Sequence, residues 1–317
     1  MSTALPALVP RAARRQIWSV GGGKGGIGKS VLTAALGWQL ARLGKRVVMV
    51  DADLGGANLH TCLGVPPPQR SLADFVMRRV ERLEDVVVDT NFPRLRLISG
   101  AADLLTAANI KHQQKVRLLS RIRGLDVDIV LIDVGAGTSF NILDFFLMAD
   151  VSLMVVVPEP TSVENGYRFI KSALFRQLRT QCEDPPVREI IDSAMDPANE
   201  RGIRTPTALL QAVGAEYPDA LAALQKTIAG FHPRFIVNQV RGPADAAVGQ
   251  QLVTACARHL GIRAASAGHV YHDDAVWQAV RRRRLFAAED PDGRAAQGVR
   301  TIARGMLTGE PMSFDFD

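Results

Sequence analysis

Gly23-Lys24-Gly25-Gly26-Ile27-Gly28-Lys29-Ser30 satisfies the pattern G-x-x-x-x-G-K-[ST], and its reading decides the fold. A short β-branched run at 17–20 precedes it and an amphipathic stretch at 31–43 follows, so strand, loop and helix stand in the order the motif requires. Glycines are needed because successive N–H groups must turn inward around a β-phosphate, in conformations that a Cβ obstructs. The helix N-terminus, opening at Val31, adds aligned donors and positive dipole character for the anion. Lys29 is spaced to reach β- and γ-phosphate oxygens, and the Ser30 hydroxyl to coordinate Mg2+. The stretch implies a bound nucleoside triphosphate; the alternative is a glycine-rich turn without a ligand.

Outward from the loop, apolar runs at 47–50, 95–98, 129–132, 151–157 and 235–240 alternate with helix-length amphipathic stretches. Apolar runs without polar alternation are what parallel strands covered on both faces require. The expectation is an α/β fold: a doubly wound, mainly parallel sheet with helices on both faces. The chain is expected to divide into a tail at 1–15, one domain at 16–310 and an acidic tail at 311–317. Between residue 178 and the run at 235 lie about fifty residues, far beyond the ~2–6 of an ordinary αβ loop. Helical patterns at 187–195, 208–213 and 219–228 make this an inserted helical segment, about 181–232, either a lid over apolar surface or a docking face for a partner.

Composition narrows the class further. Over 317 residues the chain is 47% hydrophobic and 22% charged, too apolar for a disordered protein. Its uncharged stretches fall short of the ~20 residues that span a bilayer, and arginines and prolines interrupt the start where an apolar leader would stand, so a cytoplasmic location is expected. Cys62, Cys182 and Cys256 are far apart, with no CxxC, which argues against a disulfide scaffold, a zinc site or an iron–sulfur carrier. No G-x-S-x-G elbow supports a serine hydrolase, and His269 with His272 lacks further metal ligands.

Two more strand ends carry carboxylates. The second strand delivers Asp51-Ala52-Asp53-Leu54-Gly55-Gly56, and the run Ile129-Val130-Leu131-Ile132 ends in Asp133, a Walker B pattern in which the carboxylate holds a water of the Mg2+ shell. Strand ends of this kind open into the ligand crevice of doubly wound sheets. Together with the early Lys24, these segments resemble the deviant Walker A ATPases of the MinD, ParA, Mrp and nitrogenase iron-protein family. The resemblance implies that Lys24 crosses a subunit interface to the nucleotide of a second copy, making ATP part of a homodimer. It further implies that Asp53 positions or deprotonates the attacking water, that Asp51 supports the Mg2+ shell, and that Asn238 hydrogen-bonds the purine edge. By the same resemblance Gly135-Ala136-Gly137 follows the γ-phosphate as a switch loop; Val134 stands where many relatives have a small polar residue, and Tyr271 where they have a proline near the base.

Residues 51–64, Pro158-Glu159-Pro160-Thr161-Ser162 with Tyr167 and Lys171, and 274–285 look most like the FlhG/FleN branch, the flagellar-number regulators. That implies a polar partner such as an FlhF-like GTPase or a transcription regulator, although the N-terminal motif of many members is not present in 1–15. Arg281-Arg282-Arg283-Arg284 is either a solvated helix end or a contact for DNA phosphates or anionic lipid, the DNA reading making the chain a ParA-type partition ATPase; a further alternative is a regulatory ATP-binding protein with little turnover. The stretch 294–307, with Val299, Ile302 and Met306 on one face, is expected to dock on the sheet rather than lie on a membrane.

Overall fold

The structure, a computed structural model, describes residues 15–53, 56–100, 112–196, 198–199 and 201–308. The expected tails at 1–15 and 311–317 therefore lie outside the described residues except for Arg15, as do Leu54 and Gly55 of the second strand's loop.

The chain opens with β1 (Gln16–Gly22), α1 (Lys29–Arg42) and β2 (Val47–Asp51), a βαβ unit around the phosphate-loop motif. Short pieces follow: α2 (Leu59–Cys62), α3 (Leu72–Val76), the edge strand β3 (Val87–Asp89) and β4 (Leu95–Ile98). Next come α4 (His112–Gly124), β5 (Ile129–Ala136), α5 (Phe140–Leu147), β6 (Val151–Val156) and the long α6 (Pro160–Gln181). Three helices occupy the inserted segment: α7 (Pro185–Met195), α8 (Pro206–Glu216) and α9 (Leu221–Ala229). The chain then returns through β7 (Arg234–Val240), α10 (Pro243–Leu260) and β8 (Ala265–Tyr271), and finishes in α11 (Asp274–Arg281), α12 (Phe286–Glu289) and α13 (Arg294–Thr308).

The eight strands lie in the order β3-β4-β2-β5-β1-β6-β7-β8. All neighbouring pairs are parallel except β3 with β4. Alternation within a strand sends side chains to opposite layers. In β2, Val47 and Met49 join the core under α1 and α13, while Val48 and Val50 join the core under α3, α4 and α5. The doubly wound fold read from the apolar runs is the fold observed. β3 was not expected: three residues pairing antiparallel at the edge give too short a pattern to separate from a loop.

Among the described residues the inserted helices form no separate core. Val187, Ile190, Leu209, Val213 and Leu224 pack in one cluster with Phe169 and Leu174 of α6 and with Phe235 of β7. Proline at the starts of α7 and α8, behind the side-chain caps of Asp184 and Thr205, fixes where these two helices begin. In α13, Val299, Ile302 and Met306 are buried against the layer of α1 and β8, so this helix is docked on the sheet as expected.

Candidate nucleotide-binding site

The loop between β1 and α1 sits at the carboxyl end of the central strand, where connections run toward β4 on one side and β8 on the other. Its glycines are spatially required. A Cβ at Gly23 would stand 2.4 Å from the carbonyl carbon and oxygen of Asn165 in α6, so that helix seals the loop from below. Gly28 has φ +80°, a left-handed conformation, and a Cβ there would meet Asn238 Nδ2 at 2.6 Å. Gly26 is also left-handed, at φ +79°.

Lys29, the first residue of α1, is buried, and its Nζ lies 3.1 Å from Asp133 Oδ1. The hydroxyl of Thr33, one turn on, approaches the same oxygen at 3.1 Å. Asp133 is opposite Asp51 in the β2–β5 register, and both are buried. Asp51 accepts hydrogen bonds from the backbone N–H groups of Leu59 at 3.0 Å and Asp53 at 3.1 Å. Burial, and then the charge of Asp133, nonetheless push the Asp51 carboxyl up to about 7. The Cys62 thiol behind them is pushed up to about 12 by burial and, secondarily, by the same two carboxylates.

Asp53 is half-buried; a Cβ on Gly135 would lie 3.4 Å from its carboxyl carbon, so it borders the loop after β5. Val134 is fully buried within β5, and Gly137 turns the chain with φ +99°. Ser30 is half-buried at the start of α1. Lys24, at the exposed tip, reaches Glu159 before α6 at 3.6 Å, with both side chains about half exposed.

Beside Gly28 opens a cavity of about 280 Å3, lined mainly by apolar side chains of α1, β8 and α11. Asn238 and Gln239 reach it from the end of β7; Asn238 Nδ2 donates to the Ile27 carbonyl at 2.9 Å. Gln239 is left-handed at φ 59°, within a register shift between Val237 and Val240. A second cavity, of about 510 Å3, lies on the other side of the loop between Gly23, Thr138 and Lys171, where Met195 brings in the end of α7.

The structure thus gathers Gly23 to Val31, Asp51, Asp53, Asp133 and Asn238 at one end of the sheet. Sequence reasoning missed Thr33, whose hydroxyl at the fourth position after Lys29 shares its helix face, and Glu159, the partner of Lys24. It also missed Trp277 of α11, which lines the cavity beside Gly28 and which no motif marks.

The ParA family model, described as an NUBPL iron-transfer P-loop NTPase, matches residues 13–182, more than half of the chain. The chain belongs to the ParA family of P-loop NTPases. This ParA-family protein is 34% identical to the antiactivator FleN of Pseudomonas aeruginosa over 157 residues, 49% of this chain and 55% of FleN. It is also 34% identical to the septum site-determining protein MinD of Helicobacter pylori over 149 residues, 47% of this chain and 55% of that protein. The chain spans about half the length of the curated relatives it matches. Its fold is that of MinD from Pyrococcus horikoshii complexed with Mg-ADP, with a TM-score of 0.65 at 21% identity over 93% of this chain and 98% of that one. The MinC:MinD complex of Aquifex aeolicus gives a TM-score of 0.61, also at 21% identity, over 95% and 99%.

The site of this ParA-family protein fits a divalent cation. Two buried carboxylates oppose each other with one ammonium, that of Lys29, on Asp133 and with Asp51 lifted to about 7, and Ser30 stands in the first turn of the neighbouring helix. Among the described residues no three His, Cys, Asp or Glu form a metal cage. Mg2+ needs none, since it keeps waters and is held by one or two carboxylates with substrate phosphates.

Proposed function

We propose that this protein binds and hydrolyses ATP with Mg2+, that two ATP-bound copies form a homodimer sharing Lys24, and that hydrolysis returns the pair to monomers. Lys29 holds the β- and γ-phosphates, Ser30, Asp51 and Asp133 hold the cation, and Asp53 orients the attacking water. The bound Mg2+ supplies charge neutralisation of the phosphate oxygens. Asn238 favours adenine: with Nδ2 turned to the Ile27 carbonyl, its Oδ1 is the group left to accept from an amino substituent such as that on adenine C6, where guanine carries an oxygen.

The observation that carries the dimer reading is the position of Lys24. It stands half exposed at the tip of a phosphate loop, tethered by a 3.6 Å surface pair to Glu159, a contact worth only about 0–1 kcal/mol. The ammonium is therefore released at little cost to a phosphate presented by a second copy. The output is spatial control of a polar organelle, the flagellum, from the cytoplasmic side, through an FlhF-like GTPase or a transcription regulator; the likeness to FleN supports this branch. The DNA-partition alternative would use Arg281 to Arg284, which are all exposed, and the pairs of Arg282 and Arg284 with Glu289 are as weak as that of Lys24; the likeness to FleN favours the flagellar branch over it. Lipid contact through α13 is disfavoured by its docked apolar face, and among the described residues no helix is long and apolar enough to cross a membrane. Iron transfer finds no CxxC pair in the chain, and its three cysteines are each buried.

The test is the mass in solution with Mg-ADP, with Mg-ATP, and with Mg-ATP for Asp53→Ala and Lys24→Ala. Dimers are expected with Mg-ATP, most persistently in Asp53→Ala, and none in Lys24→Ala. Monomers under every condition, or a Lys24→Ala dimer as stable as the wild type, overturn the proposal.

A further inference from the structure

The cavity beside Gly28 has one wall that burial does not explain. Trp277 lines it from α11, yet the residue is 61% exposed, one of the few large apolar side chains so exposed among the described residues. An exposed large apolar group is the informative exception to core packing. On the same helix Val276 and Val280 also line the cavity, and Ala279 is buried beneath, so α11 is anchored and carries the indole at the rim.

Two aromatic rings face this space, each backed by a guanidinium. Arg281 lies 4.7 Å from the Trp277 ring centroid and Arg294 lies 4.2 Å from that of Tyr271; neither arginine is among the walls of the cavity. Both rings themselves line the cavity and so present aromatic surface to it, while each is also held by its cation. Tyr271 is further fixed edge-on to His269 at 4.9 Å, a ring held in place on strand β8. The indole is the large planar surface at the open side.

We infer that Trp277, braced by Arg281, is the stacking wall for the nucleobase. This rests on the reading of the loop as a phosphate site: phosphates held at Gly28 and Lys29 direct an attached planar heterocycle into the adjoining apolar cavity. Stacking is tolerant of base identity, because every base has a π-face. Trp277 therefore sets how tightly any purine nucleotide is held, and Asn238 sets which one.

Full-length wild type, Trp277→Ala and Trp277→Phe are titrated with Mg-ATP, Mg-GTP and Mg-tripolyphosphate, by calorimetry and by intrinsic fluorescence. The chain has three tryptophans, and Trp18 is wholly buried, so a ligand-dependent indole signal that disappears in Trp277→Phe belongs to the rim. Base–aromatic stacking is worth ~1–3 kcal/mol, and for a rim residue the expected loss in Trp277→Ala is about tenfold for both nucleotides, with their ratio unchanged. Trp277→Phe retains most of the affinity, and tripolyphosphate binds all three proteins alike. Wild-type ATP affinity in Trp277→Ala overturns the inference and leaves the phosphate site standing, as does equal weakening of tripolyphosphate. A wild-type protein that binds neither ATP nor tripolyphosphate overturns both.

Discussion

Removing the Lys29 ammonium tests stability before it tests turnover. Its Nζ is 3.1 Å from Asp133 Oδ1, and the two side chains are 9% and 1% exposed. Lys29→Ala leaves that carboxylate buried with the Thr33 hydroxyl at 3.1 Å and with Asp51 opposite in the register. Breaking a buried pair from one side costs about 3–5 kcal/mol, a large share of the ~5–15 kcal/mol that holds an ordinary domain together. With Thr33 still in place the lower end applies, about 3 kcal/mol, or a melting temperature lower by roughly 5–10 °C. Asp133→Asn alone strands the ammonium instead, whereas the double variant removes both charges and recovers much of the loss. The assay is urea and thermal unfolding without added nucleotide for the wild type, both single variants and the double. Lys29→Ala melting with the wild type, or single losses that simply add in the double, refute the coupling. The same result bears on activity measurements, since a dead Lys29→Ala protein proves a phosphate contact only if it is folded at the assay temperature.

Asp51 gives a pH dependence of definite sign. Its folded carboxyl is lifted from 3.8 to about 7, first by burial and then by Asp133, so the folded chain keeps a proton that the unfolded chain releases. The associated stability is complete below about pH 4 and is lost as pH rises through 7, with an upper bound of ~4 kcal/mol. Asp51→Asn should flatten this fall in urea titrations between pH 5 and 8; parallel wild-type and variant curves would refute it. His60 and His269, both lowered by burial, act in the opposite sense in either protein and cancel in the difference. Gly23→Ala puts a methyl group 2.4 Å from backbone atoms of Asn165 that cannot swing aside, at about 1–3 kcal/mol and with weaker ATP binding. Gly25→Ala meets nothing within 4 Å and serves as the comparison for stability; equal unfolding midpoints for the two would contradict the steric reading.

The elements that sequence reasoning located are those whose physics is local. The phosphate loop declares itself because its glycines, lysine and serine must lie within eight positions, and the buried strands because parallel strands covered twice cannot alternate. The carboxylates at 51, 53 and 133 were legible as strand ends, although their mutual distance was not. Asp51 and Asp133 are 82 positions apart and meet only through the β2–β5 register, and the resulting lift of the Asp51 carboxyl leaves no trace in composition. Glu159 was visible as part of Pro158-Glu159-Pro160, but its pairing with Lys24 depends on how α6 starts against the loop. The inserted helices were seen by length and periodicity, yet their union with the α6 and β7 core was not, because an amphipathic stripe does not say which surface it covers.

The two lysines of the loop differ in what their present partners cost to leave, and this orders their roles. Lys24 and Glu159 are both solvated, so opening that pair is nearly free and salt weakens it further. Lys29 and Asp133 are buried, and moving the ammonium to a phosphate strands a carboxylate unless another positive charge reaches Asp133 in the same event. A triphosphate that arrives with its divalent cation would meet both demands together: phosphate oxygens for Lys29 and a counter-charge for Asp133 and for Asp51, whose carboxyl burial lifts to about 7. A bare triphosphate meets only the first. On the proposed function, the buried pair would make occupancy of the loop depend on the whole metal–nucleotide complex, while the exposed pair would release Lys24 to the phosphate of a second copy.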